Sequence, residues 1–329
     1  MGHYKVAALQ LTRLQKRLCN LLQEGLPICA RPYADLAKFL NTGEETVLQQ
    51  TIELKKSGII RRISPLINYR ALGMTGTLVT AHIPEENLQE VIEAVNALDN
   101  VSHNYLRKHY YNLWFTLQGQ TAGQIELALS TLSGRFGIDF YSLPVKRVFK
   151  LDVRFDAAGQ AFNDAPQAPK SRIAELNENE KQILSGLQDE LKVTERPFDF
   201  LCNDRLETEE VLRIIQGLID KGVIRRIAAI VDHRKLGFIA NVLFCCKVPK
   251  KQIIKAGKRL ARFGIVSHCY QRETIKDWPY NLFAMLHSRS MGEIQHVINK
   301  FIEAEKIDSF ELLPTAKELK KQPIKYRFY

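Results

Sequence analysis

Two short segments carry the side chains best suited to moving protons and holding anions. They read Ser102-His103-Asn104-Tyr105-Leu106-Arg107 and Ser267-His268-Cys269-Tyr270-Gln271-Arg272. Successive side chains of an extended strand alternate between faces, so His103, Tyr105 and Arg107 share one face, as do His268, Tyr270 and Arg272. Histidine titrates nearest neutrality and is the first choice for a general acid or base. Tyrosine offers an aromatic wall with a hydroxyl, and arginine grips a carboxylate with two parallel hydrogen bonds. Such a face is a poor recipe for an aliphatic core. It suits an aromatic, cationic pocket that supplies protons, with His268 and His103 as candidate donors beside Tyr270 and Tyr105. A single strand histidine is usually structural; the same triplet occurring twice shifts the reading toward a site.

Other candidates flank these segments. Leu143-Pro144 is followed by Lys146, Arg147 and Lys150, and Leu313-Pro314 by Lys317, Lys320 and Lys321. Solvated strand ends explain any one lysine, but both copies place a basic run directly after Leu-Pro. Arg107, Arg272, Lys146, Lys150, Lys317 and Lys320 are therefore the candidate carboxylate ligands. Trp114, Trp278, Tyr280 and Asn281 supply aromatic and amide neighbours. Arg61-Arg62 and Arg225-Arg226 suit either nucleic-acid phosphates or the same anionic ligand. The turn Asp232-His233-Arg234 matches Asn68-Tyr69-Arg70, although the histidine is absent from the first.

The net charge of +11 and pI of about 9.3 favour a polyanionic partner: nucleic acid, an anionic membrane or a polycarboxylate. No apolar run approaches the ~20 residues of a membrane span, and the N-terminus lacks the apolar region of a signal peptide. A cytoplasmic protein without membrane attachment is expected. The six cysteines form no CxxC pair, which argues against a zinc ribbon or a cysteine-held iron–sulfur cluster. No protein-held metal is expected.

The elements that must position these residues are written twice. Gly58-Ile-Ile-Arg-Arg-Ile63 recurs as Gly222-Val-Ile-Arg-Arg-Ile227, Leu72-Gly73 as Leu236-Gly237, and Val101-Ser-His103 as Val266-Ser-His268. The second copy carries an insertion between Tyr270 and Asn281, a candidate lid. Each copy opens with three helical patterns, 11–22, 33–40 and 44–57 in the first, with Thr42 as a cap for the third. A wing at 59–67 completes a winged helix-turn-helix, and the same order is expected from Asn177 to Val231. A βαββαβ pattern follows, with strands at 75–83, 101–107, 113–119 and 138–143 and helices at 85–98 and 124–136. The fold class is α+β: a tandem repeat of a winged helix-turn-helix and a ferredoxin-like domain. The boundaries are 8–70 and 71–155, a linker at 156–175, then 176–234 and 235–329.

That order resembles the Lrp/AsnC transcription regulators, and DNA binding is the alternative function. Charge placement argues against it. The third helix of the second copy carries Glu207, Glu209, Glu210 and Asp220, which repel a phosphate backbone. Gln49 and Gln50 keep the objection weaker for the first copy.

The chemistry-bearing motifs point elsewhere. Ser267-His-Cys-Tyr-Gln-Arg272, Trp278-Pro-Tyr-Asn-Leu-Phe283 and Leu313-Pro-Thr-Ala-Lys317 resemble the NirL (AhbB) subunit type of the siroheme decarboxylase family. His103-Asn-Tyr105, Tyr111-Asn-Leu-Trp-Phe115 and Leu143-Pro with Lys146 and Lys150 resemble its NirD (AhbA) type. The resemblance covers nearly the whole chain, in the order of a fused protein. It implies a carboxy-lyase that removes two acetate carboxyls from siroheme, giving 12,18-didecarboxysiroheme for heme d1 or alternative heme biosynthesis. It implies no organic cofactor, because the macrocycle is its own electron sink. The iron arrives with the substrate, and His268 or His103 is a candidate axial ligand. It further implies an internal pseudo-dimer, open to homodimerisation, and no DNA partner. On that reading Arg107, Arg272, Lys146, Lys317 and Lys320 hold spectator carboxylates. Trp114, Trp278 and Tyr280 form a drier patch that favours loss of the reacting charge. A non-catalytic tetrapyrrole carrier is the third reading.

Overall fold

The computed structural model describes residues 10–158, 172–275 and 277–328; most of the expected linker, at 159–171, lies outside them. The first copy runs α1 (Arg13–Glu24), α2 (Pro32–Leu40), α3 (Glu44–Lys56), β1 (Ile60–Ile67), β2 (Thr75–Ala81), α4 (Leu88–Ala97), β3 (Val101–Arg107), β4 (Leu113–Gly119), α5 (Ala122–Phe136) and β5 (Phe140–Leu151). The second runs α6 (Glu178–Leu187), α7 (Thr208–Asp220), β6 (Ile224–Val231), β7 (Ala240–Cys246), α8 (Ile253–Ala261), β8 (Val266–Arg272), β9 (Leu282–Ser288), α9 (Met291–Glu305) and β10 (Phe310–Lys321). No described helix is long and apolar enough to cross a membrane.

Local chemistry sets the element ends. Thr12 closes a capping box on α1 with Gln15, and Asn177 does the same on α6 with Glu180. Gly58, at φ +70°, stops α3 in a left-handed turn that a side chain would strain. Two expectations fail here. Gly43, not Thr42, precedes α3, and no side chain caps it. The second winged helix also lacks its middle helix: Pro197 stands in that segment, and only a single 3-10 turn forms at Asp199–Leu201.

The two wings do not project. β1 and β6 pair antiparallel with each other, from Ile60 opposite Val231 to Ile67 opposite Ile224. One face of this ribbon packs on the helices of both winged-helix units in one shared core containing Leu22, Tyr33, Ile63, Leu184, Ile215 and Ile227. The opposite face turns toward the sheets of the ferredoxin-like domains.

Those sheets close on each other as an eight-stranded barrel, in the order β10-β3-β4-β2-β5-β8-β9-β7. Closure depends on two strands that change partners at Leu-Pro. β5 pairs with β2 as far as Pro144 and then with β8 from Val145 to Leu151. β10 pairs with β7 as far as Pro314 and then with β3 from Thr315 to Lys321. The expected last strand, ending at Leu143, is thus half of a longer one, and the basic run is the half given to the other copy. α4 and α5 cover one outer face, and α8 and α9 the other. Beyond each exchanged strand the chain docks on the helices. Gln23 Nε2 donates to the Phe155 carbonyl (2.9 Å) and its Oε1 accepts from the Phe155 amide (2.8 Å). Gln188 makes the same pair of bonds to Tyr326. These clamps set the winged helices over the barrel.

Candidate active site between the wings and the barrel

β3 alternates from His103 onward and β8 from His268, each after an irregularity at Val101–His103 or Val266–His268 that puts the strand's first residue on the helix side. Val101 and Asn104 turn toward α4 and α5, and Cys269 toward α8, where its thiol meets the Gly257 carbonyl. His103, Tyr105 and Arg107 face the barrel interior, as do His268, Tyr270 and Arg272. Within each triplet the rings and guanidinium are neighbours: His103–Tyr105 at 6.1 Å with Arg107 5.6 Å over Tyr105, and His268–Tyr270 at 5.9 Å with Arg272 5.0 Å over Tyr270. The four rings lie deep in the protein yet keep part of their surface uncovered, and we read the space they border as the candidate chamber. The paired wings roof it: Arg61 on β1 reaches Glu318 of β10 at 3.4 Å, and the charges of Arg61 and Arg62 act on His103 and that of Arg225 on His268 and Tyr270.

Burial and this positive surround push His103 down to about 4 and His268 to about 3, so both are neutral at pH 7 without an anionic ligand. Each imidazole is oriented by the preceding serine. Ser267 Oγ donates to the Met285 carbonyl (3.2 Å) and so accepts from His268 Nδ1 (2.9 Å). That arrangement suits a proton on Nδ1, with Nε2 as the nitrogen that gains and gives one. His103 Nδ1 meets Ser102 Oγ at 2.8 Å, and Ser102 Oγ also meets Thr116 Oγ1. Burial raises Tyr105 and Tyr270 to about 12, so both phenols keep their protons.

The structure distributes the expected ligands unevenly. Arg107 and Arg272 sit in the barrel, but each spends Nη1 on the strand crossing: Arg107 on the Leu313 carbonyl (2.6 Å), Arg272 on the Leu143 carbonyl (2.7 Å). In both, Nε is sealed without a hydrogen-bond partner among the described residues. Lys150 and Lys320 are on the wrong face for the chamber. Lys320 Nζ donates to the Asn96 and Leu98 carbonyls at the end of α4 (2.7 and 2.8 Å), and Lys150 to Phe263 just after α8 (3.2 Å). A cation there satisfies helix-end carbonyls and the helix dipole. Lys146 pairs with Glu273 at 2.9 Å on the surface, and Lys317 is exposed beside Leu106. Asn281 ties the end of β7 through the Val248 amide and carbonyl (2.9 and 2.8 Å), as Asn112 ties Ile83.

Trp114, Trp278 and Tyr280 do come together, but as a plug. Trp278 is 5.3 Å from Trp114 and 4.7 Å from Tyr280, and it packs with Tyr111, Leu143, Leu243 and Leu313 in a closed apolar cluster beyond the arginines. The inserted segment therefore stoppers the barrel end opposite the wings and is no lid over the histidines.

Sequence reading undervalued two further groups. The wing arginines face the chamber, as only the pairing of β1 with β6 reveals. His233 and His287 lie 5.0 Å apart against Phe155, both buried, each with Nδ1 sealed and without a hydrogen-bond partner among the described residues. Burial pushes His233 down to about 3 and His287 well below its ordinary value. The first copy has Tyr69 and Gln118 at the matching positions, so the repeat hides the pair rather than announcing it.

Residues 71–150 and 235–320 match the AsnC-like ligand binding domain, and residues 15–61 match the siroheme decarboxylase NirDL-like HTH domain. A siroheme decarboxylase of Hydrogenobacter thermophilus is 34% identical over 313 residues, 94% of each chain. The chain belongs to the siroheme decarboxylase family. A siroheme decarboxylase NirDL subunit of Paracoccus denitrificans is 32% identical over 87% of this chain and 88% of its own. The crystal structure of a siroheme decarboxylase NirDL in co-complex with an iron-uroporphyrin III analogue superposes with a TM-score of 0.72 at 31% identity, covering 96% of this chain and 94% of that one. In this chain the two wings are consumed by pairing with each other.

Proposed function

We propose that this chain decarboxylates siroheme in the chamber between wings and barrel, removing two acetate carboxyls to give 12,18-didecarboxysiroheme. The observation that carries the reading is the pair of serine-oriented imidazoles on a cationic, aromatic wall, within a chain that matches siroheme decarboxylases end to end. Each step converts a ring-attached CH2–COO⁻ and one proton into CH3 and CO2. The C–C bond breaks, its electron pair passes to the methylene carbon and into the macrocycle, and a C–H bond forms. His268 Nε2 delivers the proton, with His103 as the second donor, and the phenols of Tyr270 and Tyr105 flank them. Arriving carboxylates raise the imidazole pKa values, so substrate binding itself loads the donors. No organic cofactor enters this scheme, and the iron belongs to the substrate, with either imidazole able to ligate it.

Anaerobic incubation of the purified chain with siroheme, followed by mass spectrometry, tests this. Stepwise loss of CO2 to the didecarboxylated product is expected. Tight binding without product would favour a carrier. Unchanged, unbound siroheme beside an active control enzyme would return the Lrp/AsnC-type regulator, which the consumed wings disfavour.

A further inference from the structure

The repeat makes each half of the chamber a control for the other. In the half built on β3, the wing residue Arg61 is already committed. Its Nη2 meets Asp232 at 2.9 Å and its Nη1 meets Glu318 at 3.4 Å, while Lys321 leans on Glu318 at 3.9 Å. In the half built on β8, the matching wing residue is Arg225. Among the described residues it makes no hydrogen bond and no ion pair, although the protein encloses most of it and that burial lowers its pKa.

The sequence explains the difference. Where Asp232 follows the second wing, the first wing is followed by Asn68, whose amide is turned to the Gly222 carbonyl (3.1 Å). Where Glu318 lies opposite Tyr105 across β10 and β3, Val148 lies opposite Tyr270 across β5 and β8. Both acids that neutralise Arg61 are thus replaced by uncharged residues around Arg225. The acid that bears on Arg225, Asp152, is held by Arg154 at 2.7 Å, and the other groups acting on Tyr270 and Arg272 are Arg70, Tyr69 and the buried Cys245. A desolvated guanidinium without a counter-charge is costly unless an anion completes it.

We propose that Arg225, backed by Arg70 and Arg272, is a carboxylate-anchoring subsite of the chamber, and that the pseudo-equivalent position at Arg61 is self-neutralised and anchors nothing. This rests on the siroheme reading and deepens it. A macrocycle with carboxylates on every edge would bind a symmetric chamber in several rotations. One anchor selects one edge and thereby decides which acetates reach the histidines.

The test is a Soret titration of the full chain with iron-uroporphyrin III, comparing wild type, Arg225→Gln, Val148→Glu and the charge-neutral pair Arg61→Gln/Asp232→Asn. Loss of a charge-assisted contact should raise Kd about tenfold to a hundredfold in Arg225→Gln. Val148→Glu, which gives Arg225 the acid that Arg61 already has, should do the same. Arg61→Gln/Asp232→Asn, which removes the neutralised pair without unmasking an acid, should change Kd less than about threefold. With siroheme, the Arg225→Gln effect should fall on KM more than on kcat. Equal effects of the two arginine substitutions, or an unchanged Kd in Val148→Glu, overturn the proposal while leaving the function standing. A wild-type chain that binds no iron-uroporphyrin overturns both. Thermal melts accompany each variant, because Arg61→Gln/Asp232→Asn removes a contact between the first wing and the turn after the second; should it fail to fold, Val148→Glu still decides.

Discussion

His268 receives its tautomer from Ser267 and its low pKa from burial, and these two inputs lead to separate predictions. His268→Ala should lower turnover by roughly 10²- to 10⁴-fold, the usual worth of a positioned general acid, with siroheme affinity within a few-fold; single-turnover kinetics would show it, and full turnover would remove His268 from the chemistry. The pKa shifts act on stability. His103, His233, His268 and His287 are all held below the ordinary value of 6.5, so the unfolded chain binds protons first as pH falls. Stability is therefore full above about pH 6.5 and declines toward pH 4 and 3, at roughly 1 kcal/mol per imidazole for each pH unit. Melting curves between pH 8 and 5 should show the decline, and iron-uroporphyrin should reverse much of it by raising the same pKa values. At this scale the twin Ser-His-x-Tyr-x-Arg segments were legible because alternation along a strand is local. The lysines were not. Lys150 and Lys320 have the residue type of an anion ligand, but a register of one residue puts them on the helix side.

The exchanged strands settle what the elements do. Sequence patterning ended the last strand of each copy at Leu143 and Leu313, since a proline and then a run of cations reads as a strand leaving the sheet. Instead the proline marks where one partner is released and the next begins, and the partner lies in the other copy. Phe149, on the exchanged part of β5, seats against α8 so closely that a Cβ on Gly257 would lie 2.3 Å from its ring. Gly257→Ala should destabilise the protein by about 1–3 kcal/mol, the range for overpacking, as chemical denaturation would report. Lys320→Met should cost up to about 2 kcal/mol through the end of α4 and leave tetrapyrrole affinity unchanged. A large loss of affinity would restore Lys320 as a ligand.

For the whole molecule, the repeat, the two domain types and their order were readable from recurring motifs. Barrel closure and wing pairing were not, because both are contacts between distant segments that no local pattern encodes. They make the two copies one folding unit. Residues 10–158 expressed alone would expose half of the winged-helix core and the unpaired edges of β1, β3 and β5. That fragment should aggregate or remain partly folded, and coexpression with residues 172–329 should recover a soluble complex; a stable, monomeric first half would contradict this. The strand exchange also bears on how such a chain diverges. The wall beside His268 is bordered by residues encoded near position 148, and the wall beside His103 by residues encoded near position 318. Neither copy owns its own pocket. A mutation in the tail of one is inherited as a change in the other's chemistry, so the duplicates drift apart as a linked pair, and neither can be retired to scaffold while its twin keeps the reaction.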